Sequence, residues 1–321
     1  MNLKNKNILV TGGAGFIPSH LVDRLIIEKP KRLVVQDNFF MGKMENLENA
    51  KKNLPSLKIY KHSLTDYKKT KQIISENNID VVFNLAVVPL PLSLIKPEWV
   101  FNEITQMTLN LCKLAREDAF KTLIHFSSSE AYGTAQKVPM SEEHPLVPRT
   151  AYAAGKASAD HIVMAYCNCF GIDMSIIRPF NNYGPRQNEK TYAGVIPLTI
   201  KRIKQHKNPI IYGDGRQTRD FIYVKDTVDA AIKVYNSKNT RGKILNMASG
   251  KETRIIDLVK EIMNIMDCKK KIKFEAQRIG DVRRHCADIS LAKKLINFKP
   301  NIFVKEGLKK TVDWYESQLT Q

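Results

Sequence analysis

Residues 7–17, Asn-Ile-Leu-Val-Thr-Gly-Gly-Ala-Gly-Phe-Ile, decide the fold of this chain. The apolar run at 8–10 predicts a short buried strand and residues 20–27 predict a helix, so the glycines lie where a strand passes into a helix. At such a turn the backbone can approach a pyrophosphate closely, because the free N–H groups and the dipole of the helix N-terminus favour negative charge. The stretch therefore predicts a dinucleotide-binding turn.

The contacts of this turn are expected from Gly12, Gly15, Phe16 and Ile17. A Gly-x-x-Gly-x-x-Gly pattern would place a further glycine where this chain has Pro18. Proline is tolerated in the first turn of a helix, because its missing N–H has no partner within the helix there. We expect phosphate binding to survive this change, whereas the close packing of helix on strand is the feature at risk.

Asp37 ends the next predicted strand, 32–36, about twenty residues beyond the glycines. A carboxylate at that position can reach the ribose hydroxyls of the adenosine, and it would repel a 2′-phosphate. The sequence therefore predicts NAD as the cofactor in preference to NADP.

Strand-like and helix-like stretches alternate along the whole chain of 321 residues. This rhythm predicts an α/β protein with a Rossmann-type doubly wound parallel sheet and a smaller mixed C-terminal substrate-binding lobe. We expect the NAD-binding domain to span 1–180, with the chain returning to it around 219–248. The second lobe is expected from 181–218 and 249–321.

Tyr152 and Lys156 form a Tyr-x-x-x-Lys pair, which a helix would place on one face. A tyrosine titrates near 10, so its use as a general base at neutral pH needs a pKa lower by roughly three units, or about 4 kcal/mol. A neighbouring ammonium and an oxidised nicotinamide ring could supply that stabilisation.

Composition excludes several classes of protein. No apolar run has the length of a membrane span, and no signal peptide precedes the first strand, so a cytoplasmic protein without membrane contacts is expected. The five cysteines lack paired metal-site spacing, and no metal is expected. The net charge of +19 could indicate nucleic-acid binding, but the basic residues are scattered without interleaved aromatic residues, which favours a solvated surface.

Further motifs follow in order along the chain: Asp37-Asn38 with Gly42, Asn84-Leu85-Ala86, Ser127 to Gly133, Arg178 to Arg186, Arg219-Asp220-Phe221, and Gly280 to Arg284. With these motifs the chain resembles, over essentially its full length, the extended short-chain dehydrogenase/reductase superfamily, in particular its nucleotide-sugar epimerases, dehydratases and decarboxylases. The resemblance implies NAD as cofactor and a nucleotide-diphosphate sugar as substrate. It adds Asn38, Gly42, Leu64, Leu85 and Ala86 to the cofactor site; His62-Ser63 stand where relatives carry Gly-Asp for the adenine.

The resemblance also assigns chemical roles. Ser128 would hydrogen-bond the C4 hydroxyl of the sugar, Tyr152 would remove its proton, and Lys156 would hold the nicotinamide ribose. The implied product is a 4-keto sugar that stays in the pocket. Residues implied in substrate binding are Asn181, Arg186, Val195, Tyr212, Arg219 and Arg278.

The fate of the 4-keto sugar depends on Ser129 and Glu130. A C4 ketone acidifies the C5 proton, so a carboxylate can act there as a base for loss of the C6 hydroxyl. Glu130 stands where 4,6-dehydratases carry a glutamate, which favours dehydration. Ser129 replaces the aspartate of dTDP-glucose dehydratases, but GDP-mannose dehydratases and UDP-glucuronate decarboxylases resemble this chain in having Ser then Glu. C4 epimerisation is therefore the first alternative, and decarboxylation, with Arg186 as a candidate cation, is the second.

Two other kinds of function remain open from the sequence, an NAD-binding regulator on the same fold and a nucleic-acid-associated protein. The retained Tyr152, Lys156 and Ser128 argue against the regulator. The helical stretch 102–116 and the one that carries Tyr152 match helices that relatives pair in a four-helix bundle, so a homodimer is expected.

Overall fold

The computed structural model describes residues 1–189, 193–278 and 281–318. The strands are β1 Asn7–Thr11, β2 Arg32–Gln36, β3 Lys58–Tyr60, β4 Val81–Asn84, β5 Thr122–Phe126, β6 Asp173–Pro179, β7 Asn181–Tyr183, β8 Ile210–Tyr212, β9 Thr218–Tyr223, β10 Ile244–Met247, β11 Glu252–Arg254 and β12 Lys273–Glu275. The helices are α1 Phe16–Ile27, α2 Glu48–Asn53, α3 Tyr67–Glu76, α4 Pro97–Arg116, α5 Ala151–Phe170, α6 Val195–Lys204, α7 Val224–Asn236, α8 Ile255–Ile265, α9 Ser290–Ile296 and α10 Val304–Ser317.

Within the described residues, a seven-stranded parallel sheet forms the centre of the molecule, in the order β10-β6-β5-β4-β1-β2-β3. Its strands are buried on both sides. One face is covered by a core that includes α1 and α7, and the other by a core that includes α3, α4 and α5. The fold is thus the doubly wound Rossmann type that the alternation of strands and helices predicted. The strand order reverses between β1 and β4, which is where such sheets bind ligands.

The register of the sheet places polar strand ends side by side. Thr11 pairs with Gln36 on one side and with Asn84 on the other, so the carboxyl ends of β1, β2 and β4 form one edge. Loops that leave this edge therefore converge on a common space above it.

Pro18 does not disturb the packing of α1. It is buried in the first turn, and Leu21, Val22 and Leu25 of the same helix are fully buried against the sheet. Close packing at the turn is helped by Gly13, where a Cβ atom would lie only 2.6 Å from a methyl group of Val35.

A smaller lobe contains a three-stranded sheet, β11-β9-β7, and a two-stranded sheet, β12-β8, which share a separate core with α6, α8 and α10. The return of the chain, expected around 219–248, begins with β9, which pairs within this lobe; α7 and β10 then rejoin the large sheet. Throughout the described ranges, no helix combines the length and the apolar character that crossing a membrane requires.

Candidate active site

A cavity of about 430 Å³ opens at the carboxyl edge of the large sheet, beside the point where the strand order reverses. It is lined by every residue that the sequence assigned to the cofactor: Gly12, Gly15, Phe16, Ile17, Asp37, Asn38, Gly42, Leu64, Leu85, Ala86, Tyr152 and Lys156. Ser128 and Arg186 line it as well. The cavity is therefore built around the glycine turn and reaches the Tyr-x-x-x-Lys pair.

The glycine turn leaves the N-terminus of α1 available to an anion. Gly15 precedes the helix, no described side chain caps it, and its first turn carries no acidic residue. Gly12 has a φ of +66°, and a Cβ atom on it would lie 2.8 Å from the Cα atom of Ala86. A larger residue would therefore enter the space between two backbone segments of the cavity wall, and the cradle fits a pyrophosphate.

Asp37 is fixed at the end of β2 with 7% of its surface exposed. Its Oδ2 accepts a hydrogen bond from the N–H of Ala14 at 2.9 Å, and its Oδ1 accepts one from the N–H of Phe39 at 2.7 Å. Burial raises the pKa of this carboxyl, and the two backbone donors oppose that shift. Gly42 lies so close that a Cβ atom on it would be 2.8 Å from Oδ2. The carboxylate is thus held rigidly at the cavity, as recognition of ribose hydroxyls requires.

Tyr152 lies in the first turn of α5, which Thr150 caps by accepting a hydrogen bond from the N–H of Ala153 at 3.2 Å. Burial raises the pKa of the phenol to about 12; a hydrogen bond with Ser128 opposes this shift, and the charge of Glu130 adds to it. Ser128 and Tyr152 are therefore hydrogen-bonded, and Glu130 lies within electrostatic range of the phenol.

Lys156 lies one turn further along α5 and is only 3% exposed. Its ammonium donates to the carbonyl oxygen of Phe126 at 2.8 Å. Burial lowers its pKa to about 8, and the carboxylate of Asp160 opposes this shift.

The expected fall in the phenol pKa depended on an ammonium and an oxidised nicotinamide ring together, and the protein side chains alone do not provide it. Desolvation is the largest cause of the raised pKa of Tyr152, and the ammonium of Lys156 is directed to the carbonyl oxygen of Phe126. Use of the phenol as a base therefore needs added positive charge beside it.

Ser129 and Glu130 lie in a short 3₁₀ turn, Ser129–Tyr132, that follows β5. Ser129 is buried, and the N–H of Glu130 donates to the hydroxyl of Ser128 at 3.2 Å. Burial raises the pKa of Glu130, while the charge of Arg219 lowers it and that of Asp281 raises it. The charge of Glu130 thus acts on the phenol of Tyr152, and the pKa of Glu130 is influenced in turn by Arg219 and Asp281, which form an ion pair in the smaller lobe.

The remaining predicted substrate residues are distributed over the smaller lobe. Arg278 stacks on Tyr212, with its guanidinium carbon 4.0 Å from the ring centre. Asn181 donates to the carbonyl oxygen of Asp220 at 3.4 Å, and Val195 begins α6. Gly280, part of a motif in the sequence, lies outside the described residues.

Arg186 belongs to the dinucleotide side of the site. Its guanidinium contacts the carboxylate of Asp23 on α1 at 2.8 Å, and it lines the large cavity. This position suits a role next to phosphates better than a role at C6 of a sugar.

Sequence reasoning missed part of the cavity wall. Phe40 and Trp99, with ring centres 5.9 Å apart, line the cavity together with Val87, Glu103 and Met107. They belong to a loop, to the segment after β4 and to α4, and no short motif links these parts of the chain. Only their packing in the folded chain brings them together.

Comparison with known proteins agrees with this geometry. Residues 9–311 match the family model described as GDP-mannose 4,6 dehydratase. A UDP-N-acetyl-alpha-D-glucosaminuronate decarboxylase of Bacillus cytotoxicus is 31% identical, over 97% of this chain and 98% of that protein. The structure of the UDP-N-acetylglucosamine 4-epimerase from Methanobrevibacter ruminantium is 37% identical with a TM-score of 0.90, over 98% of this chain and 99% of that one.

A dTDP-glucose 4,6-dehydratase from Bacillus anthracis, solved in complex with NAD, is 28% identical with a TM-score of 0.87, over 97% of each chain. These similar proteins are named for three reactions and share one fold. The chain belongs to the nucleotide-sugar epimerase/dehydratase family of the extended short-chain dehydrogenase/reductase superfamily.

Proposed function

We propose that this protein is an NAD-dependent enzyme that oxidises a nucleotide-diphosphate sugar at C4 and then dehydrates it to a 4-keto-6-deoxy sugar. The observation that carries the proposal is the hydrogen bond between Ser128 and Tyr152 at the dinucleotide cavity, with the charge of Glu130 acting on the same phenol. The cofactor is NAD, because Asp37 occupies the place that a 2′-phosphate would need and the similar dehydratase was solved with NAD.

The residues divide the work as follows. Ser128 holds the C4 hydroxyl beside Tyr152, and Tyr152 takes its proton. NAD supplies the oxidant at C4 and, in its oxidised form, a positive charge beside the phenol. Lys156 adds a second positive charge beneath the site, and the two together offset the burial that raises the pKa of the phenol to about 12.

Glu130 supports dehydration as the second step. Once C4 is a ketone, the C5 proton is acidic, and a carboxylate close to Tyr152 is placed to remove it. Because burial raises its pKa, Glu130 can hold that proton and deliver it to the C6 hydroxyl, which leaves as water and gives a C5=C6 double bond. The hydride taken from C4 would then return to C6, and C5 would regain a proton equivalent to the one that Tyr152 removed from the C4 hydroxyl, which yields the 4-keto-6-deoxy sugar. In this proposal Asn181, Val195, Tyr212, Arg219 and Arg278 bind the nucleotide and the diphosphate.

C4 epimerisation is the second candidate, favoured by the epimerase from M. ruminantium. An epimerase needs the Tyr152 step and rotation of the keto sugar, but it does not need a base at C5. The two candidates therefore differ in their dependence on Glu130.

The test is incubation of the purified protein with UDP-, GDP-, CDP- and dTDP-sugars, followed by mass spectrometry and NMR. Loss of one water supports dehydration, an unchanged mass with a new NMR pattern supports epimerisation, and loss of carbon dioxide supports decarboxylation. Glu130→Gln should stop a dehydratase after C4 oxidation and leave an epimerase almost unaffected. Glu143→Gln, an exposed carboxylate nearby in the chain, is the control for the loss of one charge.

We further propose a homodimer in which α4 and α5, which pack against each other, pair with the same helices of a second copy. Light scattering at micromolar concentration tests this. A species of 36.6 kDa alone would contradict it.

A further inference from the structure

A buried group of charges lies beneath the Tyr-x-x-x-Lys pair. Asp160 follows Lys156 by one helical turn on α5, and Arg178 approaches from β6. Asp160 and Arg178 are each 1% exposed and Lys156 is 3% exposed. Buried charges of this kind are costly unless they compensate one another, so their balance determines which of them stay ionised.

The two oxygens of Asp160 are used differently. Oδ2 accepts hydrogen bonds from the hydroxyl of Ser127 at 2.7 Å and from Nε of Arg178 at 2.9 Å. Oδ1 makes no hydrogen bond with any described residue, and Nε2 of His125 lies 3.9 Å from it. Oδ2 is thus hydrogen-bonded to Ser127 and Arg178, whereas Oδ1 has no hydrogen-bond donor among the described residues.

His125 cannot compensate that charge. The side-chain oxygen of Asn84 accepts a hydrogen bond from the hydroxyl of Thr11, so the side-chain nitrogen of Asn84 is the atom that lies 2.9 Å from Nδ1 of His125. Because that nitrogen is a donor, Nδ1 is the acceptor and the proton of the ring is on Nε2. Burial, with the charge of Lys156 as a second cause, holds the pKa of His125 well below its usual range. The cation left to face Asp160 on this side is Lys156.

The charge count gives Asp160 its role. Two cations lie near one carboxylate: Arg178 forms an ion pair with Asp160 at 2.8 Å, and Lys156, one helical turn away, interacts with it through its charge. An arginine does not lose its proton in proteins. If the carboxylate were neutral, the cheapest response of the cluster would be loss of the proton from Lys156. We propose that Asp160 is a positioning residue that keeps Lys156 charged beneath Tyr152, so that the lysine can support the phenolate. This inference rests on the proposed function for what the charge is used for.

The same cluster is anchored to the cofactor cavity. The hydroxyl of Thr11 donates to Asn84 at 2.8 Å and accepts from the N–H groups of Leu85 at 3.2 Å and Ala86 at 3.3 Å. Leu85 and Ala86 line the cavity. Hydrogen bonds of Thr11 and Asn84 therefore connect His125, which lies 3.9 Å from Asp160, to the wall on which the dinucleotide would lie.

The test compares Asp160→Asn with Asp160→Glu in the full-length protein. The titration of Lys156 is followed by NMR with ¹³C-labelled lysine, and the pH profile of kcat is measured with the sugar that the panel identifies. Asp160→Asn should lower the pKa of Lys156 by at least about one unit, which is the size of effect that a nearby opposite charge has. The pH at which kcat falls on the alkaline side should decrease by the same amount. Asp160→Glu, which keeps the charge, should stay near wild type.

Asp173→Asn is the matched control. Asp173 accepts from Thr122 at 2.7 Å and pairs with Arg241 at the opposite end of the same strands. Its loss should cost stability without moving either pH curve.

The inference would be overturned if Asp160→Asn lowered kcat by the same factor at every pH and left the pKa of Lys156 unchanged. If Asp160→Asn does not fold, Arg178→Gln tests the same charge balance with the opposite sign. Removal of the competing cation should raise the pKa of Lys156. An unchanged or lower pKa of Lys156 in that variant would overturn the inference. The NMR titration needs no substrate. A wild-type protein that turns over no nucleotide sugar would defeat the proposed function while this measurement still judged Asp160.

Discussion

Replacement of Gly12 by alanine should weaken the fold and NAD binding together. Two costs combine at this position. The left-handed backbone, with φ of +66°, costs a non-glycine residue about 1–2 kcal/mol. In addition, the new methyl group would lie 2.8 Å from the Cα atom and 3.0 Å from the backbone nitrogen of Ala86, well inside ordinary contact distance.

Neither backbone segment can move freely to relieve that contact. The N–H of Gly12 donates to the carbonyl oxygen of Gln36 at 2.8 Å, and its own carbonyl oxygen accepts from the N–H of Gly15 at 2.9 Å. Loss or stretching of such bonds costs about 1 kcal/mol each. We therefore expect a total of about 2–4 kcal/mol in the free energy of unfolding, measured in urea, and at least a tenfold weaker NAD affinity by calorimetry.

Gly171→Ala provides the control. Gly171 ends α5 with a φ of +63°, and a Cβ atom there would have no described heavy atom within 4 Å. It should carry the backbone cost of about 1–2 kcal/mol alone and leave NAD binding unchanged. Equal stability losses in the two variants, together with wild-type NAD affinity in Gly12→Ala, would refute the reasoning.

Three further outcomes are expected. Tyr152→Phe should lower kcat at least about a hundredfold while calorimetry shows sugar binding nearly intact; wild-type turnover would remove Tyr152 from the mechanism. Asp37→Ser should weaken NAD binding and reduce discrimination against NADP at least about tenfold in calorimetric titrations, because the repelling carboxylate is gone; unchanged selectivity would exclude that role. Burial raises the pKa of Asp220 to about 6, so the folded chain holds a proton that the unfolded chain loses near 4, and stability from this group falls by up to about 3 kcal/mol as pH rises from about 4 to about 6. Urea unfolding at both ends of that window should show this component in wild type and not in Asp220→Asn; an identical pH dependence in both proteins would contradict the assignment.

The parts of the site that were predictable are those set by local backbone requirements. The glycine turn, Asp37 and the Tyr152–Lys156 pair were placed from spacing alone, because a strand, a turn and a helix each have a fixed geometry over a few residues. The strand predicted at 32–36 was located to the residue for the same reason.

The remaining features depend on tertiary structure. Tyr152 packs against residues distant in sequence, and the prediction weighed Lys156 and the nicotinamide ring but not the burial that raises the pKa of the phenol. The aromatic wall of Phe40 and Trp99 joins a loop and a helix that share no motif. The helix that contains Pro18 packs closely because Gly13 lies against Val35, and this contact becomes visible only in the folded chain.

β9 pairs with β7 and β11 before the chain rejoins the large sheet through β10, so the molecule has two parts with separate cores. The cofactor cavity lies at the edge of the parallel sheet, whereas Arg219, Tyr212 and Arg278 belong to strands and loops of the smaller lobe, which has its own core. In the proposed function, substitutions in that second core would change which nucleotide sugar is bound and leave the cofactor cavity unchanged.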